Sequence, residues 1–383
     1  MSAVRWIELL VVAIFTYQVT GSAFIVTMMT LLRLLPMALF GAFMGAIADR
    51  LDRRRGLLAV LAATLLASAA IAVLAWTGRL EVWHLAVSCF VSGSAWATDN
   101  SFRRIMMGDV VGGERMATAM ALDSGANNVS RMAGPALGGV LIATAGIEAV
   151  FILSVCLYLA GIAATLSLKH YKHVAPAVHT PVLSRIAEGL REVRARRRLL
   201  GIYVITALYN IFGWPCYSLI PVIGKDNLGL GPEGIGLLSS TDGVGAMVGA
   251  LWVILLARPS HYHAVYVGSV AVFNLMMIGF ALMSGPLLAG GFLFLAGVVG
   301  ACFGVMQTTL IYRAVTPEMR SRMLGLLSVS IGVGPIGFLQ VGVLAELLGA
   351  RTAIVVIALE GLVALALTFP LWRRGSEPDQ AAG

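Results

Sequence analysis

The chain has 383 residues, 59% of them hydrophobic and only 12% charged, with a formal net charge of +8. Too few polar residues remain to clothe one soluble core of that length, and runs of 18 or more apolar residues match the ~30 Å hydrocarbon layer of a bilayer. Backbone polar groups cannot face lipid unpaired, so each crossing is a helix or part of a closed barrel. The runs lack a period of two, which selects helices.

Twelve spans are predicted, at 5–19, 24–46, 57–77, 82–104, 119–144, 148–168, 201–223, 234–257, 263–284, 287–312, 323–348 and 351–372. The first is so short that it barely crosses: either it is stunted or its true start lies upstream. A cleaved signal peptide is disfavoured, because no soluble domain follows and the second span begins almost at once. Span 2 carries Arg33 near Pro36. A charge at that depth is costly unless paired or wet. Arg33 is read either as held by carbonyls freed at the proline, or as a functional group that attracts an anionic substrate or fixes Glu8 or Asp99.

A short segment from Gly45 to Arg55 joins spans 2 and 3 and holds Asp49, Arg50, Asp52, Arg53, Arg54 and Arg55. Gly45 permits close helix approach, Asp49 caps a helix end or pairs with an arginine, and the basic tail suits anionic lipid. In span 4, Asp99 and Arg103 share a face by their i,i+4 spacing. Span 5 carries Asp123, Asn127 and Arg131 at every fourth position, then Gly134, Pro135 and Gly138. Residues 169–200 break the apolar rhythm and are read as a cytoplasmic linker ending in an amphipathic surface helix. Its histidines, His170, His173 and His179, are loosely spaced without cysteine neighbours, so no metal site is assigned. Span 7 shows a polar face of Thr206, Asn210, Gly213 and Tyr217 beside Trp214 and Pro215. Span 8 carries Asp242, span 10 Gln307, and span 12 Glu360, a carboxyl expected to be protonated or hydrogen-bonded inward.

Depth links two of these charges. At 1.5 Å per residue, Arg131 lies ~18 Å from the start of span 5. Asp242, entering from the other face, lies ~16 Å above the same face of a ~30 Å core. The two are level.

With both termini inside, 21 of the 27 lysines and arginines fall in inside loops or the C-terminal tail, and only Arg79, Lys225 and Arg351 fall outside. That asymmetry is the positive-inside pattern, so the basic charge is read as topology and lipid contact, not nucleic-acid binding. Cys89, Cys156, Cys216 and Cys302 all lie within apolar spans and are expected to be buried free thiols. Gly134-Pro135 recurs 200 residues later as Gly334-Pro335. The halves are therefore drawn as a six-helix bundle at 1–168, a linker at 169–200, and a second bundle with a short tail at 201–383, as in repeat-built transporters. Gly332 to Gly337 matches G-x-G-x-x-G, but no strand precedes it and it sits in an apolar helix. No P-loop, H-E-x-x-H or G-x-S-x-G motif occurs, so neither ATP hydrolysis nor an intramembrane enzyme is supported, and no cofactor is expected.

The Gly45–Arg55 segment resembles the G-x-x-x-D-R-x-G-R-R loop of the major facilitator superfamily, with Asp52 where that pattern has a second glycine. Tyr17–Ala23, Arg33–Leu39, Arg131–Leu141, Leu219–Asn227, Gln307–Leu310 and Pro317–Gly325 together resemble its enterobactin-exporter-like group, although Ser321 and Ser130 depart from it. The resemblance implies an all-α integral membrane protein of twelve transmembrane helices in two pseudo-symmetric six-helix bundles. It implies a monomer in a bacterial-type plasma membrane, exporting a small siderophore- or drug-like molecule by proton-driven alternating access. It implies a gating motif of Gly45, Asp49, Arg50, Arg53 and Arg103, and helix-bend motifs at Gly134, Pro135, Gly138, Gly334 and Pro335. It implies that spans 5 and 8 pack together, so an Arg131–Asp242 pair is expected to form in one access state and break in the other, with protonation of Asp242 as the trigger. Asp99 is left between coupling and cavity roles. Arg33, Asn210, Tyr217 and Gln307 are the cavity candidates, with Tyr209 and Trp214 as possible aromatic surface. A lipid flippase of the same fold and a transport-silent sensor are the alternatives.

Overall fold

The computed structural model describes residues 1–48, 53–167 and 191–372. The first half holds α1 (Ser2–Thr20), α2 (Ala23–Ala48), α3 (Arg53–Trp76) and a long helical stretch, α4 (Val82–Leu166). The second half holds α5 (Arg197–Leu208), α6 (Ile220–Asp226), α7 (Pro232–Leu256), α8 (Tyr262–Leu282), α9 (Pro286–Ala314), α10 (Pro317–Ile331), α11 (Gly334–Leu348), α12 (Ala350–Leu367) and α13 (Phe369–Trp372).

Among the described residues, nine helices are long and apolar enough to cross a membrane. One of them, Thr118–Leu166, runs 49 residues, about twice what one crossing needs. Gly146 divides it, with a left-handed φ of 77° that only glycine adopts without penalty. α4 also reverses earlier: Arg103 and Asp123 form an ion pair, although a straight helix would hold them ~30 Å apart. With the apolar stretch Ala23–Leu39 and the start of α4 added, the helices accommodate the twelve expected crossings.

The first span corrects the sequence expectation. α1 has 19 residues, giving ~28 Å of helix, so it is long enough to cross. Spans 7 and 11 depart from regular helices. Span 7 runs from α5 into a π turn at Tyr209–Gly213 and a 3₁₀ turn at Trp214–Leu219 before α6 resumes. Pro215 has no N–H to give Ile211, and Gly337 fits its Cα against that Ile211 carbonyl, where a Cβ would lie 2.0 Å from the oxygen. Span 11 breaks between α10 and α11, and Pro335 opens the second segment. Pro135, by contrast, lies within the helical stretch of α4 that precedes Gly146, with no break at the proline.

The halves meet along two helix pairs, span 5 against span 8 and span 2 against span 11. Backbones touch there: a Cβ on Gly236 would lie 2.5 Å from the Pro135 carbonyl, and one on Gly243 2.6 Å from the Met132 backbone. Small residues permit such approach where lipid supplies no hydrophobic drive between helices. Three cysteines are buried as expected, but Cys156 is exposed.

Candidate functional site

The two charges at equal depth meet. Arg131 Nε donates to Asp242 Oδ2 at 2.8 Å and Nη2 to Oδ1 at 3.0 Å, a fork that matches two parallel donors to two carboxylate oxygens. Tyr217, brought inward by the irregular turns of span 7, donates its hydroxyl to Oδ1 at 2.5 Å. Asp242 is 6% exposed. Its backbone is wedged between neighbours, since Gly243 abuts span 5 and Gly297 of span 10 presses on its carbonyl. The Arg131 guanidinium also lies over the Trp6 ring, 5.4 Å from its centroid. One residue from the first half is thus tied to two from the second.

This junction forms part of the wall of a central cavity, with about 960 Å³ of non-atom space counting its open mouth. Trp6, Trp96, Trp214 and Phe338 give it aromatic surface, and Leu9, Leu10, Ala13 and Leu34 give it aliphatic surface. Arg5, Arg33 and Arg131 supply guanidinium groups, while Asp242 is the one carboxylate among its described lining residues.

A second polar cluster lies within the first half. Arg33 is buried 3.7 Å from Glu8, whose carboxylate also accepts a hydrogen bond from Ser68. Asp99 lies 3.7 Å from Arg5 and 3.4 Å from Arg103, and Arg103 also pairs with Asp123. Asp99 therefore sits inside the first bundle and not at the junction of the halves.

Cross-half contacts also close one end of the molecule, the end whose turns are built on left-handed glycines. Tyr17 hydrogen-bonds Asp226, and the Lys225 ammonium lies 5.0 Å from the Tyr17 ring centroid. Glu346 accepts from the Ser22 hydroxyl at 2.9 Å and the Phe24 N–H at 3.3 Å. Leu10 and Ile14 pack with Ile235 just beneath.

Of the expected cavity residues, Arg33 and Tyr217 line it and two do not. Asn210 is buried and donates back to the Thr206 carbonyl at 2.8 Å. Gln307 is buried and donates to the Thr206 hydroxyl at 3.0 Å, in a group completed by Tyr266. Polar side chains buried in a bundle satisfy one another first, and these two do so within the second half. Tyr209 stacks on Phe303 at 4.1 Å as core, whereas Trp214 does face the cavity. Glu360 accepts a hydrogen bond from Gln340 of span 11. Gly134 and Gly138 press against span 1 at Trp6, Ile7 and Val11, and Gly334 lies near the Asn210 carbonyl. In the gating motif, Asp49 and Arg50 lie outside the described residues, as do the side-chain surroundings of Gly45 and Arg53, together with most of the linker at 169–200. Sequence reading passed over Trp6 and Trp96 as part of apolar runs, and Arg5 as a span-end charge. The only signal for them was that each sits near an arginine in depth.

Among the described residues, membrane-length helices surround a central cavity bridged by a buried ion pair, the arrangement of the major facilitator fold. A family model described as transmembrane secretion effector matches residues 3–381. The macrolide efflux protein A of Streptococcus pyogenes is 23% identical over 345 residues, covering 87% of this chain and 83% of that protein. The multidrug efflux pump Tap of Mycolicibacterium fortuitum is 26% identical, covering 90% of this chain and 87% of the pump. Among solved structures, an inward-facing bacterial homologue of the human lysosomal transporter Spinster superposes with a TM-score of 0.75 at 13% identity, covering 99% of this chain and 97% of that one. An inward-facing bacterial homologue of the iron transporter ferroportin gives 0.74 at 16% identity, covering 98% and 96%.

The chain belongs to the transmembrane secretion effector family of the major facilitator superfamily. It is an integral membrane efflux transporter and not an enzyme.

Proposed function

We propose that the protein is a proton-coupled exporter of small amphipathic molecules, working by alternating access between a bundle at 1–168 and a bundle at 201–383. The observation that carries this reading is the Arg131–Asp242 fork, the one ion pair between the halves among the described residues, set in the wall of the cavity. A proton on Asp242 removes the charge that holds Arg131, so protonation loosens the junction while deprotonation tightens it. The basic end is read as cytoplasmic from the loop charges, with both termini on that side. The opposite end is shut by the Tyr17 and Glu346 contacts, which suits loading from the cytoplasm. The relatives named for macrolide and multidrug efflux favour an amphipathic cargo, and the aromatic cavity lining suits one.

The test is a pH jump in proteoliposomes holding the purified protein and an internal pH dye, with a macrolide and a siderophore as trial cargoes and Asp242→Asn alongside. Cargo-dependent proton flux that disappears in Asp242→Asn is expected. Flux that persists in the variant moves coupling to another carboxyl, and transport with no proton movement overturns proton coupling altogether.

A further inference from the structure

The charged lining of the cavity is mainly cationic, with three arginines against one carboxylate among the described lining residues. The oxygens of Asp242 already hold three donors, Oδ2 taking Arg131 Nε while Oδ1 takes both Arg131 Nη2 and Tyr217. A cationic cargo would meet no uncommitted carboxylate among the described lining residues. Donors, in contrast, are left over. Arg33 is 4% exposed with Nε unpartnered, and the indole N–H groups of Trp6 and Trp96 and the hydroxyl of Ser239 also lack partners. Buried polar groups are nearly always satisfied, and these four beside the cavity lack a hydrogen-bond partner, as do both oxygens of Asp99 behind Arg5.

Arg5 supplies the focus. It lines the cavity, and its guanidinium carbon lies over the Trp96 ring, 4.7 Å from the centroid. That cation–π contact holds the group in place while leaving N–H donors to bind. Its nearest carboxylate, Asp99, lies at 3.7 Å, beyond hydrogen-bond range, and is shared with Arg103. Arg131 is held by two hydrogen bonds to Asp242, whereas Arg5 makes none to Asp99.

We infer that Arg5, backed by Trp96, is the subsite for an anionic group of the cargo, and that the transporter favours amphiphiles bearing a carboxylate or a comparable oxyanion over amphiphilic amines. The apolar part of such a molecule lies along Leu9, Ala13 and Phe338, while its oxygens meet Arg5. This inference rests on the proposed export through this cavity, but binding can be measured without transport.

The probes are three molecules of one shape: naphthoate, naphthamide and naphthylmethylammonium. Each is titrated into the full-length purified protein by calorimetry. Naphthoate is expected to bind about tenfold more tightly than naphthamide, the scale of one charge-assisted hydrogen-bonded contact, with the ammonium weakest. Arg5→Gln, checked for monodisperse elution and an intact melting transition, should reduce naphthoate affinity to that of the amide. If that variant does not fold, the comparison of acid, amide and amine on the unaltered protein decides alone. Equal affinities, tighter binding of the ammonium, or unchanged naphthoate binding in folded Arg5→Gln would overturn the assignment. Macrolide efflux from cells run in parallel separates the two readings. Export with no naphthoate preference sinks the oxyanion subsite alone, whereas naphthoate binding lost in Arg5→Gln upholds the subsite even where no export is seen.

Discussion

Asp242 illustrates what one residue must satisfy when its surroundings cannot hydrate it. Its two oxygens hold three donors, from Arg131 and Tyr217. Removing either member of a buried pair costs ~3–5 kcal/mol because the other charge is left uncompensated, while removing both costs less. Arg131→Ala and Asp242→Ala are therefore each expected to lower the melting temperature of the purified protein more than the double alanine variant does. A double variant less stable than both singles would show that the two groups are independently held. The charge swap Arg131→Asp with Asp242→Arg extends the test to function. Each single reversal should abolish export, and the swap should restore part of it; failure of the swap would count against the pair as a switch. The equal depth of the two charges was legible in the sequence from span boundaries, and the family resemblance supplied the packing of spans 5 and 8 that brings them together. The tyrosine on Asp242 was not, since its position depends on π and 3₁₀ turns that hydropathy cannot reveal.

At the scale of elements, the two bundles repeat their polar fittings. A shift of 209 residues carries Glu8 onto Tyr217 and Arg33 onto Asp242. In the first half span 1 contacts span 2 through Glu8 and Arg33; in the second, span 7 contacts span 8 through Tyr217 and Asp242. The glycines repeat as well. Gly93 of span 4 lies against the Arg33 carbonyl, and Gly297 of span 10 against that of Asp242. The 200-residue recurrence of Gly-Pro revealed the duplication, but the finer pairing did not show because the partner residues differ in chemistry. Spans 5 and 8 close on each other at Gly139 and Gly236, whose facing Cα atoms leave no room for side chains. Gly236→Val should therefore part the helices there, at about the cost of overpacking a tight contact, ~1–3 kcal/mol or more. With Ser239→Cys as reporter in a cysteine-free background, labelling by a membrane-impermeant maleimide from the glycine-turn face should rise several-fold. An unchanged labelling rate would mean the glycine contact does not control that end.

For the whole molecule, closure at one end rests on a few polar contacts made at the rim. Tyr17 with Asp226 and Ser22 with Glu346 each join one half to the other. Single hydrogen bonds of this kind, the first part-buried and the second exposed, contribute on the order of 1 kcal/mol each, enough together to bias a two-state equilibrium but not to lock it. Combining Tyr17→Phe with Glu346→Gln is expected to add a longer population to the distance between spin labels at Val19 and Leu347, one on each half. A single unchanged distance would overturn the rim contacts as a latch. These fastenings were invisible in the sequence, because they join residues such as Tyr17 and Asp226 that are 209 apart in the chain. The fold itself was legible, since apolar run length and loop charge answer to the bilayer and not to the partner helix.

The left-handed glycines of the turns carry a consequence for anything that approaches from outside the bilayer. Gly21, Gly78, Gly146, Gly229 and Gly349 all mark reversals at the same end; Gly146 turns within α4, and the other four sit in links of one to five residues between helices. A protease needs a stretch of extended chain to thread through its cleft, and an antibody needs a raised epitope; neither is offered by hairpins this tight. That face is smooth: digestion of sealed vesicles from that side should leave the chain whole, and a peptide tag meant to mark it has almost nowhere to be inserted without unmaking a turn.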